Sequence, residues 1–176
     1  VSHTPDLTPK LYPYRREVEE MRLFIEEHID EFMFQPPSSF EDYVEHEAFL
    51  GEVKTTQVLL KWMDEAKEND ILEHFRVEPG DLHRIVEMAN WLLYGTHELA
   101  KLFGLKKLLP ILSNLRIRIK YGVKPELLSL INLEDVGRVR ARILYDAGYK
   151  SMEHLKRASI TELARLPSMG VKTARR

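Results

Sequence analysis

The sequence predicts an all-α protein with a helical bundle over residues 1–123 and a small domain of short helices over residues 124–176. Apolar residues recur three and four positions apart over most of the chain, and the alternating pattern typical of strands is almost absent. Proline, glycine and Ser-x-x-Glu signals separate the helical segments. Charge also divides the chain, because residues 1–100 carry 9 basic and 22 acidic residues (−13), whereas residues 101–176 carry 17 and 6 (+11).

The first part contains the longer predicted helices. Residues 1–13 hold three prolines and little periodicity, which predicts an extended segment. Asp81 is the predicted N-cap of the longest helix, and Gly122 is predicted to end the last helix of the bundle, which has Pro110 in its first turns. The predicted helices, in chain order, are 14–34, one that begins at a Ser38/Glu41 or Ser39/Asp42 capping box, 54–66, a short one begun by Asp70 with Glu73, 82–103 and 106–121.

The second part follows a boundary predicted at Val123-Lys124-Pro125. Four short helices are predicted there, and Ser159 with Glu162 is a capping box for the last. These helices are 125–131, 139–147, 152–157 and 160–166.

Composition excludes several kinds of site. The chain has no cysteine, so disulfides, thiolate zinc sites and cysteine nucleophiles are excluded, and an intracellular, cytoplasmic location is compatible with this. No apolar run approaches the ~20 residues of a membrane span, so no membrane partner is expected. The acidic stretch 41–47 could suggest a metal site, but we interpret it as a solvated helix face and predict no metal.

A short pattern occurs twice in the basic part. Residues 133–142 and 166–175 both read as a turn, an apolar residue, a glycine (Gly137 or Gly170) and a helix with alanine four positions later, and both resemble the helix-hairpin-helix motif. A glycine at a helix start lets a phosphate approach free N–H groups, and neighbouring cations add affinity for a polyanion. The candidate phosphate-binding residues are Gly137, Arg138, Arg140, Arg142, Gly170 and Lys172.

Both copies depart from the usual motif, which has a second glycine before the apolar residue. Asp135 and Ser168 occupy that position. We expect the carboxylate of Asp135 to repel a phosphate at the first copy. The alternative is that both hairpins only pack small helices together.

A second candidate site lies on the long predicted helix. Arg84 and Trp91 are seven residues apart and therefore share one stripe, where a guanidinium plane and an indole could each stack on an unpaired base. A neighbouring stripe is predicted to face the core, and it comprises Ile85, Ala89, Leu92, Thr96 and Leu99. The alternative is that Trp91 is a core residue and Arg84 a surface cation. Trp62 is predicted to be core.

Several motifs in order resemble one family. They are His3-Thr4-Pro5-Asp6-Leu7, Pro79-Gly80-Asp81-Leu82, Trp91-Leu92-Leu93-Tyr94 with His97-Glu98, and residues 137–142. Over essentially the whole chain they resemble the C-terminal portion of archaeal Hjm-type helicases, which are Ski-two-like superfamily-two DNA helicases. The family is similar to the helicase Q and polymerase-theta helicases of animals.

This resemblance implies a helical ratchet domain followed by a helix-hairpin-helix domain. It implies that Arg84 and Trp91 stack on bases of single-stranded DNA and that an arginine cluster on the hairpin helix grips the strand. The chain has no Gly-x-x-x-x-Gly-Lys-Ser/Thr loop, so ATP, Mg²⁺ and the motor domains are expected elsewhere in a parent helicase and the chain alone is not expected to be an enzyme. The family further implies 3′–5′ unwinding of forked DNA at stalled forks, nucleoid association, and replication or repair proteins as partners.

Two other functions remain open at this point. The acidic first half could make the chain a protein-interaction scaffold of a Ski-two-like RNA helicase. The hairpins could alternatively belong to a repair nuclease or glycosylase, for which Asp135 is the sole candidate catalytic group.

Overall fold

The computed structural model describes residues 1–38 and 42–175, and within these ranges the chain forms nine α-helices and no β-strand. The prediction of an all-α protein is therefore confirmed. The helices are α1 (Val18–Glu27), α2 (Tyr43–Met63), α3 (Glu68–Phe75), α4 (Pro79–Leu102), α5 (Leu108–Tyr121), α6 (Arg138–Asp146), α7 (Met152–Arg157), α8 (Ile160–Ala164) and α9 (Val171–Ala174). No helix in the described ranges is both long enough and apolar enough to cross a bilayer.

The larger core belongs to a bundle in which α4 packs along α5 and both contact α2. Each helix buries one stripe, and on α4 the fully buried positions include Ile85 and Ala89. The segment before α1 forms turns and irregular backbone, and it inserts Leu7 and Leu11 into the same core. The N-terminal segment is thus part of the bundle.

A second core lies among the short helices after α5. Its fully buried residues include Leu127 and Leu130 from the segment before α6, and Ala141 and Leu144 from α6 itself. Separately, α1 packs on α2 through a small third cluster. The buried side chains thus form one core for the bundle and another for the short helices.

The predicted boundaries within the first part were wrong at α1 and α2. Helix α1 covers only Val18–Glu27 and is followed by a 3-10 turn at Ile29–Glu31. The two helices predicted around 42–66 form one helix, which runs without a break through Gly51. The Leu11 carbonyl oxygen approaches Gly51 so closely that a Cβ would not fit there. The proposed boxes Ser38/Glu41 and Ser39/Asp42 lie partly outside the described residues, and the observed N-cap of α2 is Asp42, which accepts from the Glu45 N–H at 2.9 Å.

The bounds of α4 and α5 lie within three residues of the predicted 82–103 and 106–121, although two details of α4 differ. Helix α4 begins at Pro79, the residue type whose missing N–H suits a first helical position, so Asp81 lies in its first turn and is not its N-cap. The core stripe predicted on α4 fails at its C-terminal end, where Thr96 and Leu99 are exposed and Leu93 and Ala100 are buried instead.

The short helices after α5 agree with their predicted bounds in part. The helix predicted over 125–131 is a 3-10 turn at Pro125–Leu127 followed by further turns. Helix α7 matches its predicted bounds, and the Ser159/Glu162 capping box is present at α8. Gly122 ends α5 in the left-handed conformation, as predicted.

Candidate nucleic-acid interface

The exposed stripe of α4 carries the predicted stacking pair. Trp91 is 61 % exposed, and Arg84 is exposed two helical turns before it. Within the described part of the chain, neither side chain forms an ion pair or a hydrogen bond. The opposite face of α4 is buried against the bundle, so the helix presents both groups to solvent on a rigid support. The alternative that Trp91 is a core residue is therefore wrong.

The two predicted hairpins share one backbone geometry, thirty-three positions apart by sequence number. Asp135 and Ser168 have φ values of 60° and 59°, in the left-handed region where the usual glycine costs least. Each is followed by a buried residue (Val136 or Met169) and a glycine N-cap, and the alanine N–H four positions later donates to that glycine's carbonyl at 2.9 Å in both copies. The tandem hairpin inferred from the sequence is therefore present.

The glycines Gly137 and Gly170 leave open space at both helix starts. A Cβ built on either would have no neighbour within 4 Å, so an anion can approach the backbone there. Lys172 is exposed beside the second copy. Helix α6, which begins after Gly137, is nine residues long and directs its N-terminal N–H groups and the positive end of its dipole to this open space.

Arg140 joins the two hairpins. Its guanidinium donates to the carbonyl of Asp135 at 2.5 Å and to that of Ser168 at 2.9 Å, which are the equivalent left-handed residues of the two copies. The side chain is half-buried and forms no ion pair within the described residues. It therefore places a guanidinium at the surface that the two turns share.

Arg138 and Arg142 face the bundle and contact residues at the end of α2. We call this contact the joint and define it by Trp62, Glu65, Arg138 and Arg142. The Arg138 guanidinium lies 4.7 Å from the centroid of the Trp62 ring and donates to the Ala66 carbonyl at 2.6 Å. Arg142 donates to both carboxylate oxygens of Glu65, at 2.7 and 2.8 Å. These two arginines thus hold α6 against the bundle.

Trp62 and Glu65 are the partners that the sequence did not reveal. Trp62 is half-buried and packs against the bundle core, in partial agreement with the prediction. Its indole N–H donates to the Ile119 carbonyl at 2.7 Å, and Arg138 covers one face of its ring, so it also belongs to the joint. Glu65 also accepts the Lys124 backbone N–H at 2.9 Å. Burial alone would raise the pKa of Glu65, but the hydrogen bonds from Arg142 and Lys124 outweigh it and the pKa lies below its usual value.

We expect the substitution Glu65→Ala to lower the free energy of unfolding by about 2 kcal/mol, between the values for exposed and buried ion pairs. The reason is that the side chains of Glu65 and Arg142 are only 14 % and 28 % exposed, so the change removes the bidentate partner of a half-buried guanidinium, which retains its single contact with Glu126 at 2.9 Å. Urea denaturation near neutral pH measures the loss. Asp146→Ala is the control, since Asp146 is 64 % exposed and 3.4 Å from Arg142; an equal loss there would contradict the argument.

The same pair predicts a pH dependence. A carboxyl whose pKa is lower in the folded state stabilises the fold above its unfolded pKa, near 4.5, and loses that contribution as the pH falls through the folded pKa. The stability difference between the wild type and Glu65→Gln should therefore be constant above about pH 5.5 and shrink below pH 4.5. A difference that grows on acidification would contradict the assignment.

Metal binding has no candidate in the described ranges, where no three His, Asp or Glu side chains are grouped so that they could hold an ion. The acidic stretch 41–47 includes Glu41, which lies outside those ranges. What the structure does bring to the surface is an exposed Arg–Trp stripe on α4 and a basic pair of hairpins beyond the joint.

Both parts of the chain match known protein families. Residues 1–122 match the model of the archaeal helicase, domain 4, and residues 127–176 match that of the SAM-like helix-hairpin-helix tandem. The chain is similar to the ATP-dependent DNA helicases Hel308 of Thermococcus kodakarensis (40 % identical over 173 residues), Methanocella arvoryzae (40 % over 174) and Aeropyrum pernix (48 % over 127).

These alignments cover 98, 99 and 72 % of this chain but only 15, 23 and 17 % of the three relatives. The chain therefore spans less than a quarter of their length. The match to the domain model extends over more than half of the chain and includes the whole of α1 to α5. The chain belongs to the archaeal helicase domain 4 family and carries a helix-hairpin-helix tandem at residues 127–176.

Proposed function

We propose that this chain is the DNA-binding region of an ATP-dependent DNA helicase and that it holds the translocating single strand. The observation that carries the proposal is the exposed pair on α4: Trp91, 61 % exposed, shares a solvent-facing stripe with Arg84 on a helix whose other face is buried in the bundle. Stacking on an indole and a guanidinium tolerates any base. The names of the helicase relatives support the same conclusion.

We assign a different role to each of the two domains, which are defined by the two cores. Residues 1–123 form the ratchet domain, and residues 124–176 form the hairpin domain, with the joint between them. ATP and Mg²⁺ act in motor domains elsewhere in the parent protein, which pull the strand across α4 in the 3′–5′ direction. Stacking at Arg84 and Trp91 opposes backward slip between cycles. Stalled or forked replication intermediates are the proposed substrates.

The hairpins contribute contacts to phosphates. Gly137 leaves the N-terminal N–H groups of α6 accessible, and Lys172 adds an exposed charge at the second copy. Arg140 supplies charge where the two turns meet. Arg138 and Arg142 act mainly by positioning α6, because both are committed to the joint.

Titration of fluorescent single-stranded DNA, duplex DNA and single-stranded RNA across a salt series tests the function. Single-stranded DNA should bind most tightly, and Lys172→Gln should make the dependence of log K on log salt shallower by about 0.7, the value for one lost contact to a single strand. Lys107→Gln, an exposed cation at the N-cap of α5, is the charge control. Equal affinity for all three nucleic acids, unchanged by either substitution, would refute the proposal.

Removal of the Asp135 charge should tighten single-stranded DNA binding. We expect Asp135→Asn to raise the affinity about two- to fivefold at low salt, because a negative charge beside the phosphate-binding helix start is removed. Asparagine tolerates the positive φ of 60° at this position, so the turn is kept. Fluorescence anisotropy measures the change. Ser168→Asn places the same residue at the equivalent turn without a change of charge, and an equal gain there would show that charge is not the cause.

A second candidate function is protein docking, which the tip of the α4–α5 hairpin favours. Leu102 and Phe103 are 78 % and 72 % exposed at this tip, and large apolar side chains exposed next to each other often mark protein contacts. Such a contact would suit the scaffold alternative in Ski-two-like RNA helicases. A Leu102→Ser/Phe103→Ser variant that binds single-stranded DNA normally but loses a protein partner would support it.

A further inference from the structure

A pocket of about 320 Å³ lies beside the exposed stripe of α4, between that helix, α5 and the end of α2. Trp62, Leu82 and Val86 form its apolar part, and the latter two are buried in the bundle core. Its volume falls at the lower end of the range for sites that hold small molecules, roughly 300–1,000 Å³. The pocket is therefore the size of a site for a single planar group rather than for a peptide.

The rim of the pocket has a distinct polar chemistry. Asn90 offers an amide that both donates and accepts, and Glu68 offers a carboxylate that accepts. Glu87 offers a second carboxylate, whose Oε1 already lies 3.2 Å from Nε2 of His83, another lining residue. Carboxylates at the rim disfavour a phosphate inside the pocket, but they suit an amino group. Glutamate accepting from the amine of cytosine and asparagine paired with adenine are the corresponding contacts in base recognition.

Two cations of α5 lie beside the pocket, and we call the pocket together with Tyr94 and Arg116 the groove. Lys120 lines the pocket, and Arg116 lies one helical turn before it on the same face. The Arg116 guanidinium is 4.8 Å from the centroid of the Tyr94 ring, and its buried Nε–H has no hydrogen-bond partner within the described residues. Both cations could bind phosphates at the edge of the groove while a base entered the pocket.

The groove adjoins the stripe assigned to strand binding. Asn90 directly precedes Trp91, and Tyr94 lies three residues after it, so the α4 side of the groove borders the exposed indole. A strand that stacks on Trp91 therefore passes within one helical turn of Asn90. Trp62 lies on the far side of the pocket, and the Arg138 guanidinium packs over its ring. Trp62 therefore belongs to both the pocket and the joint.

We propose that this pocket binds one nucleobase with an exocyclic amine from the strand held on α4, with the adjoining phosphates at Lys120 and Arg116. The proposal rests on the proposed function, since it requires a single strand on the stripe of Arg84 and Trp91. It adds base selectivity to a surface whose stacking is indifferent to sequence. Cytosine or adenine should be preferred to thymine, whose Watson–Crick edge has no exocyclic amine.

The two tryptophans of the chain report separately on the two sites. The indole N–H signals in an ¹H–¹⁵N spectrum are assigned with Trp62→Phe and Trp91→Phe, and the wild-type chain is then titrated with oligodeoxycytidine and oligodeoxythymidine of equal length. We expect the Trp91 signal to move with both and the Trp62 signal to move clearly more with oligodeoxycytidine. Asn90→Ala should reduce the preference for oligodeoxycytidine about fivefold, while Lys107→Gln, away from the pocket, should leave it unchanged.

Each other result has a distinct meaning. If the Trp91 signal moves and the Trp62 signal does not, the pocket proposal is overturned and the proposed function stands. If both signals move equally with the two oligonucleotides, the selectivity for an amine-bearing base is overturned. If neither moves, both the pocket proposal and the strand-binding function fail. The Trp62 signal of free Asn90→Ala should match that of the wild type, which shows that the fold around the pocket is retained.

Discussion

Trp91→Ala should weaken binding of single-stranded DNA about 5- to 150-fold, which corresponds to the loss of one base stack worth ~1–3 kcal/mol. The midpoint of urea denaturation should not change, because Trp91 is 61 % exposed and is not a member of the bundle core. Fluorescence anisotropy and denaturation of the same preparation measure both quantities. Trp91→Phe keeps an aromatic face and should lose less.

Leu99→Ala is the matched control for this prediction. Leu99 is a 55 % exposed apolar residue on the neighbouring stripe of α4, so its removal takes away apolar surface without an aromatic plane. Its affinity should stay close to that of the wild type. Arg84→Lys keeps the positive charge but removes the planar guanidinium. It should weaken binding of single-stranded DNA, because lysine has no planar group to stack on a base. If Trp91→Ala binds as well as Leu99→Ala, α4 does not hold bases by stacking.

Gly122→Ala should lower the free energy of unfolding by about 2–4 kcal/mol, from the cost of a left-handed alanine added to that of overpacking. Gly122 has a φ of 62°, and a Cβ there would lie 2.6 Å from Cε2 of Trp62 and 2.9 Å from Nη1 of Arg138. Neither neighbour can yield easily, since the indole N–H of Trp62 is hydrogen-bonded to Ile119 and Arg138 lies over the ring. Urea denaturation monitored by circular dichroism measures the loss.

Gly104→Ala is the control that distinguishes the cost of a left-handed alanine from the cost of overpacking. Gly104 also has a positive φ, of 70°, but a Cβ there would meet nothing within 4 Å. It should therefore cost only the backbone contribution, about 1–2 kcal/mol. Equal losses for the two glycines would mean that the packing of Gly122 against the joint contributes nothing to stability.

The local features of this protein could be predicted from its sequence because they depend on residues at most four positions apart. The Ser159/Glu162 capping box, the bounds of α7 and the end of α5 at Gly122 are of this kind. The stripe of Arg84 and Trp91 also follows from the period of one helix. The repeated hairpin could be recognised because both copies have the same order of residue types, although Asp135 and Ser168 replace the first glycine of the usual motif.

The boundaries that the sequence misplaced depend on tertiary contacts. A glycine such as Gly51 destabilises the middle of an isolated helix. Inside α2 it is needed because the Leu11 carbonyl packs against the space that a Cβ would occupy. Similarly, apolar periodicity continued past the end of α1, where a 3-10 turn intervenes. Periodicity shows which face is apolar, and it cannot show which part of that face a neighbouring helix covers.

Three features of this protein follow from its sequence: it is all-α, α4 presents an Arg–Trp stripe, and two glycine-led hairpins lie in its basic C-terminal part. The tertiary structure alone decided what each arginine of the first hairpin does. Arg138 and Arg142 meet Trp62, Glu65 and Ala66, which lie more than seventy positions earlier, whereas Arg140 joins the two turns. The physical reason is that a charge pattern shows which residues are cations, but only the fold shows which of them already have a carboxylate or an aromatic ring within reach.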